Sequence, residues 1–208
     1  MAVAKTHTPA ANSRVADESA ALLDAARHIF ETDGVQGVSV RRVAQDAGCT
    51  TMAVYSRFKG KDGILGALFD EGFEKLATAQ QAIDPSLKNS ARVLALCCAF
   101  RATAHVYPHH YALMMGSFSG ALTPSLDSKL KAMSTMTCLM DAVAAMPSMK
   151  GQSRQACTDI ANRLFAFCHG WVSLERMTFI ADTRQASTTF EHAVLALVAA
   201  KTSRRTLR

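Results

Sequence analysis

Apolar residues recur at three- and four-residue spacing along most of the chain, and no stretch of useful length alternates apolar with polar. That period predicts helices and no sheet. Leu22, Leu23, Ala26, Ile29 and Phe30 share one face of a first helix that opens at Asp17, with Asp17 and Ser19 as caps. Asp33-Gly34 closes it, glycine being suited to the left-handed position after a helix C-terminus. Ser39 caps a short second helix, Val40 to Ala47, with Val40, Val43, Ala44 and Ala47 facing inward. Gly48 breaks the pattern. Thr50 or Thr51 then caps a third helix ending near Phe58, Lys59-Gly60 forms a turn, and a fourth helix covers about 61–82 before Asp84-Pro85 stops it.

Further helices are predicted over 87–105, 108–119, 124–145, 153–181 and 185–201, punctuated by Pro108, Pro124 and Pro147. One stripe runs Leu126, Leu130, Met133, Met136, Met140; others run Ile160, Leu164, Phe167, Trp171, Leu174 and Phe190, Ala193, Val194, Leu197, Val198. The expected fold is all-α. A flexible arm (1–16) leads into a three-helix helix-turn-helix domain (17–65), a larger helical domain (66–201) and a basic tail (202–208).

With 208 residues, 49% of them hydrophobic, the chain can bury one large or two modest cores. No apolar run approaches the roughly 18 residues of a membrane span, and residues 1–16 lack the apolar centre of a signal peptide. A cytoplasmic protein without a membrane partner is expected. The six cysteines, at 49, 97, 98, 138, 157 and 168, show no zinc-like spacing and read as reduced thiols packed among apolar neighbours. Cys97 and Cys98 are vicinal, but adjacent helical positions point about 100° apart. His105 and His109 stand four apart, yet Pro108 interrupts them and no acid or cysteine lies nearby to complete a ligand set. Neither a metal nor a cofactor is expected.

The formal net charge is +6, and its distribution changes the picture. Between Gly34 and Lys61, Arg41, Arg42, Arg57, Lys59 and Lys61 stand against Asp46 alone. That basic segment coincides with Val40–Phe58, which fills the slots of a helix-turn-helix. Ala44 is the small crossing residue and Gly48 the turn, with Val43, Ala47, Cys49, Val54 and Phe58 as apolar supports. Thr50, Thr51, Met52, Tyr55 and Ser56 are left facing outward, able to enter a major groove. Ser39, Arg41 and Lys61 flank them, and helix N-termini suit phosphate.

On these residues, the run from about 18 to 70 resembles the DNA-binding domain of the TetR family of repressors. The resemblance is carried by Ala25-Ala26, Phe30, Gly34, Ser39-Val40, Val43-Ala44, Ala47-Gly48, Leu65 and the element Tyr55-Ser56-Arg57-Phe58 followed by Lys61. It implies that Tyr55 and Lys61 contact phosphate, that Thr50, Thr51 and Met52 face base edges, and that Ser39 holds backbone. Position 52 often carries glycine in the family; here it is methionine. Tyr107–Gly116 and Phe165-Ala166-Phe167-Cys168-His169-Gly170 resemble a subgroup with a Trp-x-x-x-His-Gly element, Phe165 standing where the tryptophan usually is.

The resemblance implies a repressor that binds a palindromic operator in double-stranded DNA as a homodimer and is released by a small apolar or amphipathic ligand. Candidate ligand-contacting residues, mixing aromatic, thioether and imidazole groups, are His105, His109, Tyr111, Met114, Met115, Phe118, Phe165 and His169. The apolar stripes Ile160, Leu164, Phe167, Trp171, Leu174 and Phe190, Val194, Leu197 are the candidate dimer interface. An enzyme is not expected, because no nucleophile elbow, phosphate loop or paired carboxylates occur. The alternative is a helical adaptor or ligand-buffering protein that kept the fold without specific DNA binding.

Overall fold

The computed structural model describes residues 9–116, 122–181 and 183–200, with side chains from residue 16 onward. The described residues are overwhelmingly helical. The elements are α1 (Pro9–Gly37), α2 (Val40–Asp46), α3 (Thr51–Phe58), α4 (Lys61–Gln81), α5 (Asn89–Val106), α6 (Pro108–Met114), α7 (Leu126–Ala144), α8 (Arg154–Arg176) and α9 (Arg184–Ala199), with a 3-10 turn at Pro147–Met149. Contacts divide the chain into two compact units: Met1–Glu71 with His109–Ser128, and Gly72–Pro108 with Lys129–Arg208. The first therefore takes in α6 residues besides the N-terminal helices.

Several elements depart from the sequence expectation for identifiable reasons. α1 is helical from Pro9, the first described residue, so residues 9–16 of the expected flexible arm are helical. Its regular helix breaks at Gly34 (φ 64°), as the sequence indicated. α6 stops at Met114 rather than running to 119, with Gly116 left-handed just beyond; Phe118 lies outside the described residues. α8 ends at Arg176 instead of continuing to 181. There Thr178 N–H donates to Glu175 O and Phe179 N–H to Leu174 O, the paired bonds of a Schellman turn, with Thr178 left-handed (φ 61°) where glycine is usual. No glycine marks that stop, so periodicity alone ran past it.

On α7 the apolar stripe does not mark the buried side: Leu126, Leu130 and Met133 are exposed. The buried side carries Ser128, Thr135, Leu139, Ala142 and Val143 instead. Two polar contacts accompany this side of the helix. Ser125 Oγ accepts from Ser128 N–H at the helix start, and the Gln80 side chain donates to the Thr135 carbonyl (3.2 Å).

In the first unit, Leu22, Ala26, Ile29 and Phe30 of α1 meet Val43 and Ala44 of α2 and Val54 of α3, all buried. In the second, α5, α8 and α9 pack on one another. Their core holds Val93, Leu96, Cys97 and Phe100 against Ile160, Leu164, Cys168 and Val172, closed by Phe190 and Val194. Ile160, Leu164, Phe190 and Val194 therefore belong to the interior of this unit, not to a surface a partner could reach.

A charged group sits in that core. Glu175 on α8 is 7% exposed. It accepts from Arg101 of α5 (Nε to both carboxylate oxygens at 3.0 Å, Nη2 at 2.6 Å), from Trp171 Nε1 (2.8 Å), and pairs with His105 Nε2 (2.7 Å). Arg101 also donates to Ser187 Oγ of α9 and lies over the Phe190 ring. Burial pushes the Glu175 carboxyl up, but the donors from Arg101, His105 and Trp171 win and hold it below the ordinary value of 4.5. Because the unfolded chain binds that proton more readily, the contribution is full above the ordinary value and lost as pH falls below it.

Glu175→Ala should lower stability by about 3–5 kcal/mol, since it strands a guanidinium in the core. Arg101→Met should cost a comparable amount, and the pair should cost less than the sum; additivity in urea unfolding would show that the two groups do not act as a unit. On lowering the pH from about 6 to about 4, the urea midpoint of the wild type should fall more than that of Glu175→Gln.

Candidate nucleic-acid interface

α2 and α3 are short, and each is fixed at its start by a hydroxyl. Ser39 Oγ accepts from Arg42 N–H (3.3 Å), and Thr50 Oγ1 accepts from Ala53 N–H (3.2 Å). Between them Gly48 takes φ 63° and Cys49 N–H donates to Ala44 O (2.8 Å), which folds the turn tightly onto α2. Val54 is the wholly buried residue of α3, opposed to Val43 and Ala44 of α2 across the helix crossing. The other expected supports, Ala47, Cys49 and Phe58, are half-buried.

The opposite side of α3 stands in solvent. Thr51, Met52, Tyr55 and Ser56 follow the i, i+1, i+4, i+5 pattern of one helical face, and all are exposed, Met52 by 74% and Tyr55 by 56%. Ser39, Arg41 and Thr50 are exposed beside them and Lys61 is half-buried. The structure thus brings all eight expected DNA-facing residues to the neighbourhood of one motif.

Lys59, outside the expected set, is exposed in the left-handed position that ends α3 (φ 59°). The Tyr55 ring lies against Gly60, where an added Cβ would come within 3.3 Å of Tyr55 Cε1. Gly63, in the first turn of α4, is held more tightly: a Cβ there would run into the carbonyl oxygen of Phe58. α4 therefore begins directly on the end of α3, with the Tyr55 ring at the junction.

The electrostatics differ from the simple count of cations. Arg42 is paired with Asp33 of α1, and Arg57 with Glu18 of α1 (3.1 Å). Arg41, Lys59 and Lys61 have no ion pair to a described residue. Two of the five cations thus brace the motif against α1, and three are left to the surface. Asp33 and Glu18 lie outside the window over which the charge was counted, so sequence proximity alone could not pair them.

The candidate ligand residues fall into two groups. In the first unit, His109 rests on Gly34, its Nδ1 3.0 Å from where a Cβ would be, and meets Phe30 edge-on. Tyr111 is buried, while Met114 and Met115 are half-buried. Next to them His110, absent from the expected set, is buried against Phe30 and lies 3.7 Å from Glu71, which also binds Arg27. In the second unit, Phe165 stacks on His169 and meets Phe100 edge-on. His105 is engaged with Glu175.

Arg101 and Glu175 also escaped sequence reasoning. Their signal is a charge in phase with a buried stripe: Arg101 among Cys97, Phe100 and Ala104, and Glu175 after Leu164, Cys168 and Val172. Cys97 is buried, and burial followed by the charge of Glu191 pushes the Cys98 thiol up to about 11, which leaves it protonated and a poor nucleophile near neutral pH.

Two family models match this chain. The one described as "Bacterial regulatory proteins, tetR family" covers residues 22–68, and the one described as "Tetracyclin repressor-like, C-terminal domain" covers residues 93–197. The protein belongs to the TetR family. TetR-family membership makes it a DNA-binding transcription regulator with a C-terminal ligand-binding domain, not an enzyme. The helix-turn-helix geometry above lies wholly inside the first match. No curated protein matches the sequence.

Among solved structures, it is similar to a regulatory protein, SCO4313 (22% identity, TM-score 0.75, covering 91% of this chain and 98% of that one). It is similar to a protein of unknown function from Rhodococcus sp. RHA1 (25% identity, TM-score 0.73, 88% and 94%). A TetR variant from Acinetobacter baumannii AYE, in complex with minocycline, shares the fold at 15% identity (TM-score 0.62, 86% and 93%).

Gly63→Ala tests the apposition of α3 and α4. Glycine to alanine inside a helix normally stabilises by about 0.4–1 kcal/mol, but here the sign should reverse, with thermal midpoint and DNA affinity both lowered. A variant as stable as the wild type would show that α4 does not constrain the reading helix.

Proposed function

We propose that this TetR-family protein is a cytoplasmic repressor that binds a palindromic operator as a homodimer and lets go when a small apolar or amphipathic molecule occupies its C-terminal domain. The observation that carries the reading is the α3 face. Polar and apolar groups stand exposed at helical spacing on a rigidly capped helix, flanked by Arg41, Lys59 and Lys61. One such helix makes few base contacts, so two copies across a palindrome are needed for useful specificity. Among the described residues no helix is long and apolar enough to cross a membrane.

The minocycline held by the A. baumannii variant supports a ligand of mixed aromatic and polar character. Release follows if the ligand prefers a dimer whose reading helices are misplaced for the operator, lowering DNA affinity by that preference. α4, whose residues belong to both units, would carry the change.

For the dimer, the interface moves outward from the stripe read in the sequence. Leu174, Met177 and Phe179, at the C-terminal end of α8, are exposed by 43%, 61% and 73%. With the half-buried Phe167, Trp171 and Leu197, they are among the apolar groups of α8, α9 and the turn after α8 that a second copy can still cover.

Operator binding by Tyr55→Ala and Lys61→Ala over a salt titration checks the DNA face. Both should bind more weakly, and Lys61→Ala should flatten the slope of affinity against salt by about one per protomer. Wild-type binding by both would remove the assignment. Phe179→Glu should shift sedimentation from dimer towards monomer while leaving helix content unchanged, and an unaltered dimer would place the interface elsewhere.

A further inference from the structure

Apart from the hydroxyls of Thr51 and Ser56, the reading helix presents none of the side chains that make the bidentate base contacts. Guanine is picked out by bidentate Arg or Lys, adenine by Asn or Gln, and cytosine by Asp or Glu. α3 reads Thr-Met-Ala-Val-Tyr-Ser-Arg-Phe, and its one such group, Arg57, is turned back onto Glu18. Lys59 lies beyond the C-terminal end, whereas a recognition helix addresses base edges chiefly with its N-terminal residues. In that first turn the large apolar group is Met52, 74% exposed.

A thioether side chain donates no hydrogen bond and accepts weakly, but it is long, flexible and polarizable. In the major groove the feature that rewards such a group is the C5-methyl of thymine. The surroundings fit DNA better than an apolar protein partner: Met52 stands among Thr51, Tyr55 and Ser56, with Arg41, Lys59 and Lys61 at the margins.

We infer that Met52 is a specificity-determining residue, packing on one thymine methyl in each half-site, so that the operator is told apart at that position by a methyl group. This rests on the DNA-reading role proposed above. Loss of one buried methyl should weaken binding about fourfold per half-site.

The test begins with duplexes selected by the wild-type protein from a random library. Each thymine of a half-site is then replaced singly by deoxyuridine, which removes the methyl and keeps every hydrogen-bonding group. At one thymine, wild-type affinity should drop about fourfold per half-site, while Met52→Ala, weaker from the outset, should not respond there. Replacing that T·A pair with 5-methylcytosine·G should be tolerated better than replacing it with C·G. Indifference to deoxyuridine throughout the half-site, or an equal loss in both proteins, overturns the inference and leaves the DNA-reading role standing. If selection enriches no sequence, the DNA-reading role itself falls, and this inference with it.

Discussion

A carboxylate inside an apolar core stays ionised only when its surroundings replace the water it has lost. Glu175 has that replacement in full: a guanidinium, an indole N–H and an imidazole converge on its two oxygens. The donors are drawn from α5 and α8, and Arg101 extends the network to Ser187 on α9. None of these helices can shift along its neighbours without breaking a charge-assisted bond in a poorly screened place. The apolar contacts among Cys97, Phe100, Leu164, Val172 and Phe190 supply most of the burial but tolerate small displacements. The polar knot fixes which displacement is native, and the packing of the C-terminal unit is organised around it.

The DNA-reading unit solves a different problem, since α2 and α3 are too short to be stable alone. A hydroxyl cap satisfies one first-turn N–H of each, and Val43, Ala44 and Val54 lock the crossing against α1. Two ion pairs, Arg42 with Asp33 and Arg57 with Glu18, then tie the motif to α1 from its edges. Met52 and Ser56 on the reading face are free of such structural contacts, whereas Tyr55 also packs on Gly60. The side chains of Met52 and Ser56 can be chosen for what they touch outside the protein.

How much of this was visible in the sequence depended on whether the signal was local. Ser39, Gly48 and Thr50 announce caps and a turn within a few residues, and the first four helices were placed almost to the residue apart from the start of α1. Leu126, Leu130 and Met133 marked the α7 helix but not its buried side, because an apolar stripe indicates a helix without saying which side it buries; a partner of that helix, Gln80 bonded to the Thr135 carbonyl, lies far away in sequence. Thr178 stopped α8 without a glycine. The outward positions of α3 were legible because period and cap fix its phase. The partners of Arg42, Arg57 and Glu175 were not, since they come from helices brought alongside only by folding.

The two tethered arginines also affect how the protein behaves on DNA it has no use for. Every cation turned toward phosphate strengthens binding to any duplex whatever its sequence, and a genome presents vastly more irrelevant sites than operators. Held by Asp33 and Glu18, Arg42 and Arg57 add less to this indiscriminate attraction than free cations would. A correspondingly larger share of any sequence preference must come from the base edges themselves.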